Sequence, residues 1–108
     1  MTVAVITGAA SGIGAGLARH AASLDMKLVL ADWDDAALQA VADSLSADVL
    51  AVPTDVRDDA AVQSLADAAY DKFGEVDLVF NNAGVLSSGM TWEIDAATWQ
   101  RSVEINIG

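Results

Sequence analysis

Four short apolar runs alternate along this chain with longer segments whose apolar residues recur every third or fourth position. The runs are Val3-Ala4-Val5-Ile6-Thr7, Lys27-Leu28-Val29-Leu30-Ala31, Asp48 to Val52 and Asp77-Leu78-Val79-Phe80-Asn81. They show little polar alternation, which is the mark of strands buried on both faces, as parallel strands are when helices cover them. Between the runs, Ile13, Leu17, Ala21 and Leu24 predict one face of a first helix. Leu38, Val41 and Leu45 predict a second, and Val62, Leu65, Ala69 and Phe73 a third. Asp34 and Asp35 suit the first turn of the second helix, and Gly74 stands where a helix C-terminal glycine belongs. After a Ser-Ser-Gly loop, Asp95 reads as the cap of a fourth helix carrying Trp99, Val103 and Ile107. The order βαβαβαβα with right-handed crossovers predicts a doubly wound α/β domain.

Composition removes several classes. A chain of 108 residues suits one domain, and 54% hydrophobic against 19% charged residues is too apolar for a disordered chain. There is no cysteine, so disulfides and thiolate metal sites are excluded, and a single His makes no structural zinc site. The net charge of −11 lacks the basic footprint that nucleic acid requires. No apolar run approaches the ~20 residues of a membrane span. Met1 to Ile6 has no basic flank and does not read as a secretory signal, so a cytoplasmic protein is expected. The predicted fourth helix is still in progress at Gly108, and residues 1–108 are expected to be the N-terminal portion of a longer chain.

The first strand runs into Thr7-Gly8-Ala9-Ala10-Ser11-Gly12-Ile13-Gly14, which opens a helix. That context is what a dinucleotide fingerprint requires. Gly8 lets the chain leave the strand in a tight turn, Gly12 lets the backbone approach a pyrophosphate, and Gly14 lets the helix pack on the sheet. With no Lys or Arg in the loop, backbone amides and the helix dipole must hold the anion. A P-loop is excluded because Ile13-Gly14 stands where Gly-Lys belongs. A receiver domain is excluded because Thr7-Gly8, not an acidic pair, follows the first strand. Asp32, Asp55-Val56 and Asn81-Asn82-Ala83-Gly84 follow the second, third and fourth strands. All of these strand ends converge on one ligand crevice in an open α/β sheet.

Together these motifs resemble the short-chain dehydrogenase/reductase family over essentially the whole chain. The resemblance rests on Thr-Gly-x-x-x-Gly-x-Gly at Thr7 to Gly14, Asp55-Val56, and Asn81 to Gly84. It implies a Rossmann-like sheet of four strands in the order 3-2-1-4, with NAD as cofactor. It implies that Gly8, Ser11, Gly12, Ile13 and Gly14 hold the pyrophosphate side. Asp32 and Trp33 would meet the adenosine ribose and adenine edge, and Asp55 and Val56 the adenine ring. Asn82, Ala83 and Gly84 would line the path to the nicotinamide ribose, while Asn81 secures the sheet. Asn106 matches the Asn of the family's catalytic tetrad, which positions a water in a proton relay. A carboxylate at Asp32 favours NAD over NADP, because it accepts from a free 2′-hydroxyl and repels a 2′-phosphate.

The resemblance implies a catalytic Ser and a Tyr-x-x-x-Lys pair, and residues 1–108 match none of the three. Tyr70 is the only Tyr, Gly74 stands four residues on, and the position lies on the third helix, so Tyr70 is not the general acid–base. The expectation is the NAD-binding portion of an oxidoreductase that interconverts an alcohol and a carbonyl and does not turn over by itself. The alternatives are a stand-alone, non-catalytic dinucleotide-binding module and a structural half-Rossmann fragment. With four strands the fourth would be an edge, and self-association through that strand or the fourth helix is expected. His20 reads as a surface residue, and Asp58-Asp59 as a helix N-terminus in preference to a metal site.

Overall fold

The computed structural model describes residues 2–82 and the strand 103–106. Each apolar run forms a strand: β1 (Val3–Thr7), β2 (Lys27–Asp32), β3 (Val49–Pro53) and β4 (Leu78–Asn81). The periodic segments form α1 (Gly12–Ser23), α2 (Asp35–Asp43) and α3 (Asp59–Phe73). A fifth strand, β5 (Val103–Asn106), completes a sheet ordered β3-β2-β1-β4-β5, and every pair is parallel. The expected order 3-2-1-4 is present, with one more strand beyond it.

Alternation along the strands splits the core in two. Val5, Val29 and Val79 face α3 and pack with its Val62, Leu65, Ala66 and Ala69. Ala4, Ile6, Leu28 and Leu30 face the other way and pack with Ala18 and Ala21 of α1 and Leu38 of α2. Because both faces are covered, the middles of β1 and β2 are continuously apolar. Each fully buried Ile6, Leu28, Leu30, Leu38 or Leu65 side chain contributes about 1.5–3 kcal/mol.

The helices start and stop on local chemistry. Asp34 is the N-cap of α2 and accepts from Ala37 N–H; Asp58 caps α3 and accepts from Ala60 and Ala61 N–H. Gly74 ends α3 in the left-handed conformation, with its N–H donating to the Tyr70 carbonyl. Lys27 and Lys72 both lie over the Phe73 ring, at 5.6 and 5.9 Å from its centre.

Three expectations are corrected. The buried face of α1 is Gly14, Ala15, Ala18 and Ala21, whereas Ile13 and Leu24 are 62% and 55% exposed. Small residues line the closest approach of the helix to the sheet, Leu17 packs at the margin of the core, and Ile13 and Leu24 are turned outward. The segment read as the end of a fourth helix is strand β5, pairing Leu78 with Val103 and Asn81 with Asn106. Val103-Glu104-Ile105-Asn106 alternates apolar and polar residues and is β-branched at its apolar positions, which suits a strand as well as Trp99-Val103-Ile107 spacing suits a helix. The backbone groups along β4 decide the matter by giving those residues partners. For the same reason β4 is interior, between β1 and β5, so the fourth strand is not the edge that was expected to drive self-association. Asp95 and Trp99 of the expected helix lie outside the described residues, as do Ala83, Gly84 and Ile107.

Candidate functional site: a cleft at the carboxyl ends of the strands

Parallel pairing brings the strand ends into line. Thr7 lies in register with Ala31 on one side and Asn81 on the other, Asn81 with Asn106, and Asp32 with Pro53. The turn leaving β1 is held by a single overcommitted acceptor. The Gly8 carbonyl accepts from Ser11 N–H (3.1 Å), from Ser11 Oγ (2.7 Å) and from Asn82 Nδ2 (3.2 Å). Ser11 Oγ in turn accepts from Gly14 N–H as the cap of α1 and from Asn82 Nδ2 at 2.9 Å. Gly8 has φ +64°, in the left-handed region that suits glycine. A Cβ on Gly14 would stand 2.1 Å from the Gly8 oxygen, which is impossible without moving backbone.

The hydrogen bonds of this turn use the N–H groups of Ala9, Ala10, Ser11, Gly14 and Ala15. Among the described residues, the N–H groups of Gly12 and Ile13, the first two of α1, have no acceptor. Such free amides at a helix N-terminus, with the helix dipole behind them, attract an anion. Gly12 has nothing within 4 Å of where a Cβ would stand, so protein packing does not require glycine there.

Asp32, at the end of β2, is 9% exposed. Its Oδ2 accepts from Ala10 N–H at 3.0 Å and its Oδ1 from Asp34 N–H at 3.1 Å. One carboxylate therefore ties the glycine turn to the start of α2. Each oxygen keeps a lone pair for a further donor. The neighbouring Trp33 is 79% exposed.

Gly8, Ser11, Asp32, Trp33 and Asn82 share an open cleft of about 570 Å³ with Asp55 and Val56 from the loop after β3. Gly12, Ile13 and Gly14 follow Ser11 at the head of α1, with Gly14 buried under the turn. Asn81 accepts a 3.1 Å hydrogen bond from the buried Thr7 hydroxyl and so joins β1 to β4. Asn106 ends β5 at this same end of the sheet. The expected residues Ala83 and Gly84 lie outside the described residues.

The cleft includes two residues that sequence reasoning missed. Thr54 is 4% exposed, and its N–H donates to the Asp32 carbonyl at 2.9 Å, extending the β2–β3 ladder to the cleft wall. Arg57 lines the cleft and holds Asp55 with both ends of its guanidinium, Nε to Oδ1 and Nη2 to Oδ2, each at 3.0 Å. Arg57 N–H donates to the same Oδ1 at 2.9 Å. The side-chain bond to Arg57, followed by this backbone bond, keeps the Asp55 carboxyl below the usual aspartate range and pushes the guanidinium up. The Asp-x-Arg spacing just past a strand end was the available signal.

A parallel α/β sheet with a glycine turn, free helix amides and an acid at the end of β2, all at one crevice, defines a dinucleotide-binding protein of the doubly wound class. The sequence profile of the short chain dehydrogenase family matches residues 2–108, and the chain belongs to that family. It is 39% identical over 108 residues to the CLA biosynthesis dehydrogenase/reductase of Lactiplantibacillus plantarum, covering 97% of this chain and 38% of that protein. It is similar to a short chain dehydrogenase/reductase from Burkholderia phymatum solved in complex with NAD, with TM-score 0.76, 54% identity, and 91% of this chain and 36% of that chain covered. It is also similar to a 3-ketoacyl-(acyl-carrier-protein) reductase from Brucella melitensis solved with NADH, with TM-score 0.74, 43% identity, and 78% and 34% covered. The chain thus spans less than half the length of these relatives. Among the described residues, no helix is long and apolar enough to cross a membrane and no cluster of acidic and His residues could hold a metal ion.

Proposed function

We propose that residues 1–108 form one NAD-binding unit of an oxidoreductase that interconverts an alcohol and a carbonyl. The observation that carries this reading is the pair of free amides at Gly12 and Ile13 beside the Asp32 carboxylate, all at one end of the sheet. The amides and the helix dipole take the pyrophosphate, and Gly12 lets it come close. Asp32 accepts from the adenosine ribose hydroxyls through the lone pairs its two backbone bonds leave over. Trp33 and Val56 meet the adenine, with Asp55 beside them. Asn82, held on Ser11 and Gly8, starts the path toward the nicotinamide ribose, and Ala83 and Gly84 continue it. When bound, the nicotinamide supplies the hydride site. This chain's own residues bind it and orient it.

NAD is preferred over NADP. Repulsion between Asp32 and a 2′-phosphate is about 4 kcal/mol per unit-charge pair at ~4 Å and an effective dielectric near 20. Asn106 is assigned to positioning a water for proton relay. Tyr70 has its hydroxyl buried and packs against the α3 side of the core, so it is assigned no part in the chemistry, and these residues are assigned cofactor binding alone. The bacterial relatives solved with NAD and NADH support the cofactor assignment.

The test is calorimetric titration of the purified chain with NAD and NADP, repeated for Asp32→Ala. NAD binds the wild type more tightly than NADP, and Asp32→Ala weakens NAD and narrows the difference. Absence of NAD binding at millimolar concentration, or an unchanged preference in the variant, refutes the assignment.

A further inference from the structure

The cleft gathers its charge from separate loops. Asp32 comes from the end of β2, and Asp55 and Arg57 come from the loop after β3. Arg57 is the one cation among the described residues that line it. Its side chain is 84% exposed, so it is free to swing toward a ligand in the cleft, yet its guanidinium is occupied by Asp55 through both oxygens. A planar fork-on-carboxylate pair of this kind commits two parallel N–H donors and fixes the direction of the guanidinium plane. Asp55 is itself fixed, because its Oδ1 also accepts from the backbone N–H of Arg57. The pair therefore closes a small ring over residues 55–57.

We infer that Asp55 determines nucleotide specificity by sequestering Arg57, so that the one cation among the described residues of the cleft wall is withheld from any phosphate on the adenosine ribose. The inference deepens the proposed function and rests on it. Asp32 rejects such a phosphate by direct repulsion. Asp55 rejects it by occupying the group that would otherwise receive it. Arginine is well suited to phosphate because its fork matches two phosphate oxygens, so a released Arg57 is a competent acceptor. Both residues are exposed to water, which keeps the expected effects modest.

The experiment is calorimetric titration of the wild type, Asp55→Asn, Arg57→Gln and the double variant with NAD and with NADP at low salt. Asp55→Asn keeps the side-chain shape and removes the charge that holds the fork. It raises the affinity of NADP relative to NAD by about twofold to fivefold, the scale of an exposed charge pair. The double variant returns to the wild-type ratio, because the gain belongs to the freed guanidinium. Arg57→Gln alone changes the ratio by clearly less than Asp55→Asn does, since in the wild type the guanidinium is already occupied. The inference is overturned if Asp55→Asn leaves the ratio unchanged, or if the double variant keeps the gain. It is equally overturned if Arg57→Gln lowers the ratio as much as Asp55→Asn raises it, which is the signature of summed charge alone. Wild-type chain that binds no NAD refutes the proposed function itself, and is thereby distinguished from these outcomes. Circular dichroism of each variant verifies that the fold is retained.

Discussion

Replacing Gly14 by Ala should unfold much of what Gly12→Ala leaves intact. The added Cβ at Gly14 meets Gly8 O at 2.1 Å, Gly8 C at 2.8 Å and Ala9 Cα at 2.9 Å. All three are backbone atoms, so no side chain can rotate away. The Gly8 oxygen must retreat by more than an ångström, and that oxygen holds Ser11 N–H, Ser11 Oγ and Asn82 Nδ2. Overpacking of this kind costs about 1–3 kcal/mol or more. Each hydrogen bond loosened adds about 1 kcal/mol. The helix propensity of Ala returns only ~1 kcal/mol. The net loss is about 3 kcal/mol or greater, a large part of the ~5–15 kcal/mol that stabilises a typical domain. At a urea m-value of about 1–3 kcal/mol/M, the midpoint should fall by at least ~1 M. Gly12→Ala meets no atom within 4 Å, so its midpoint should stay level or rise slightly; NAD affinity should drop, because the proposed site has the pyrophosphate approach the backbone there. Urea denaturation followed by circular dichroism, alongside NAD titration, reads both effects. Gly14→Ala as stable as wild type would refute the clash argument. Gly12→Ala binding NAD as tightly as wild type would refute the close-approach argument.

Trp33→Ala should leave stability within about ±0.5 kcal/mol, because the side chain is 79% exposed, while weakening NAD binding. Part of the fluorescence quench on titration should vanish with it, and an unchanged quench and affinity would remove Trp33 from the adenine end. The Asp55 carboxyl should titrate below the ordinary aspartate value in a carbon-detected NMR pH series, and Arg57→Gln should move its midpoint up. A carboxyl lowered in the folded state stabilises the fold above its unfolded pKa. That contribution is lost as pH falls through the folded value, so the Arg57 pair supports the fold at neutral pH and fails in acid. An Asp55 midpoint that does not respond to Arg57→Gln would contradict the pairing.

Much of the fold was legible because its causes are local. Short, β-branched apolar runs bounded by turn residues, such as Val3-Ala4-Val5-Ile6 before Gly8, read as strands covered on both faces, and α3 shows its core face in Val62, Leu65 and Ala69 at helical spacing. The cap at Asp58 and the stop at Gly74 are backbone chemistry that needs no distant partner. The predicted face of α1 holds at Leu17 and Ala21 and breaks at Ile13 and Leu24, where a contact outranks periodicity. Close approach of that helix to the Gly8 turn selects Gly14, Ala15 and Ala18, and turns Ile13 and Leu24 to solvent. The reading of 103–106 failed because a four-residue segment of alternating character takes whichever structure offers its backbone partners, and β4 offered them.

The candidate site divides the same way. The sequence by itself determined that a glycine turn, an acid after β2 and an Asp-Val after β3 would stand at strand ends, because alternating strand and helix lengths put every such end on one side of the sheet. Only the tertiary structure decided that Asp32 braces the turn through Ala10 N–H, that Asn82 reaches Gly8 and Ser11, and that Arg57 joins the cleft already paired. Asn82 and Gly8 are far apart in the chain, and parallel register across β1 and β4 sets their separation in space. Composition and spacing carry no record of that distance.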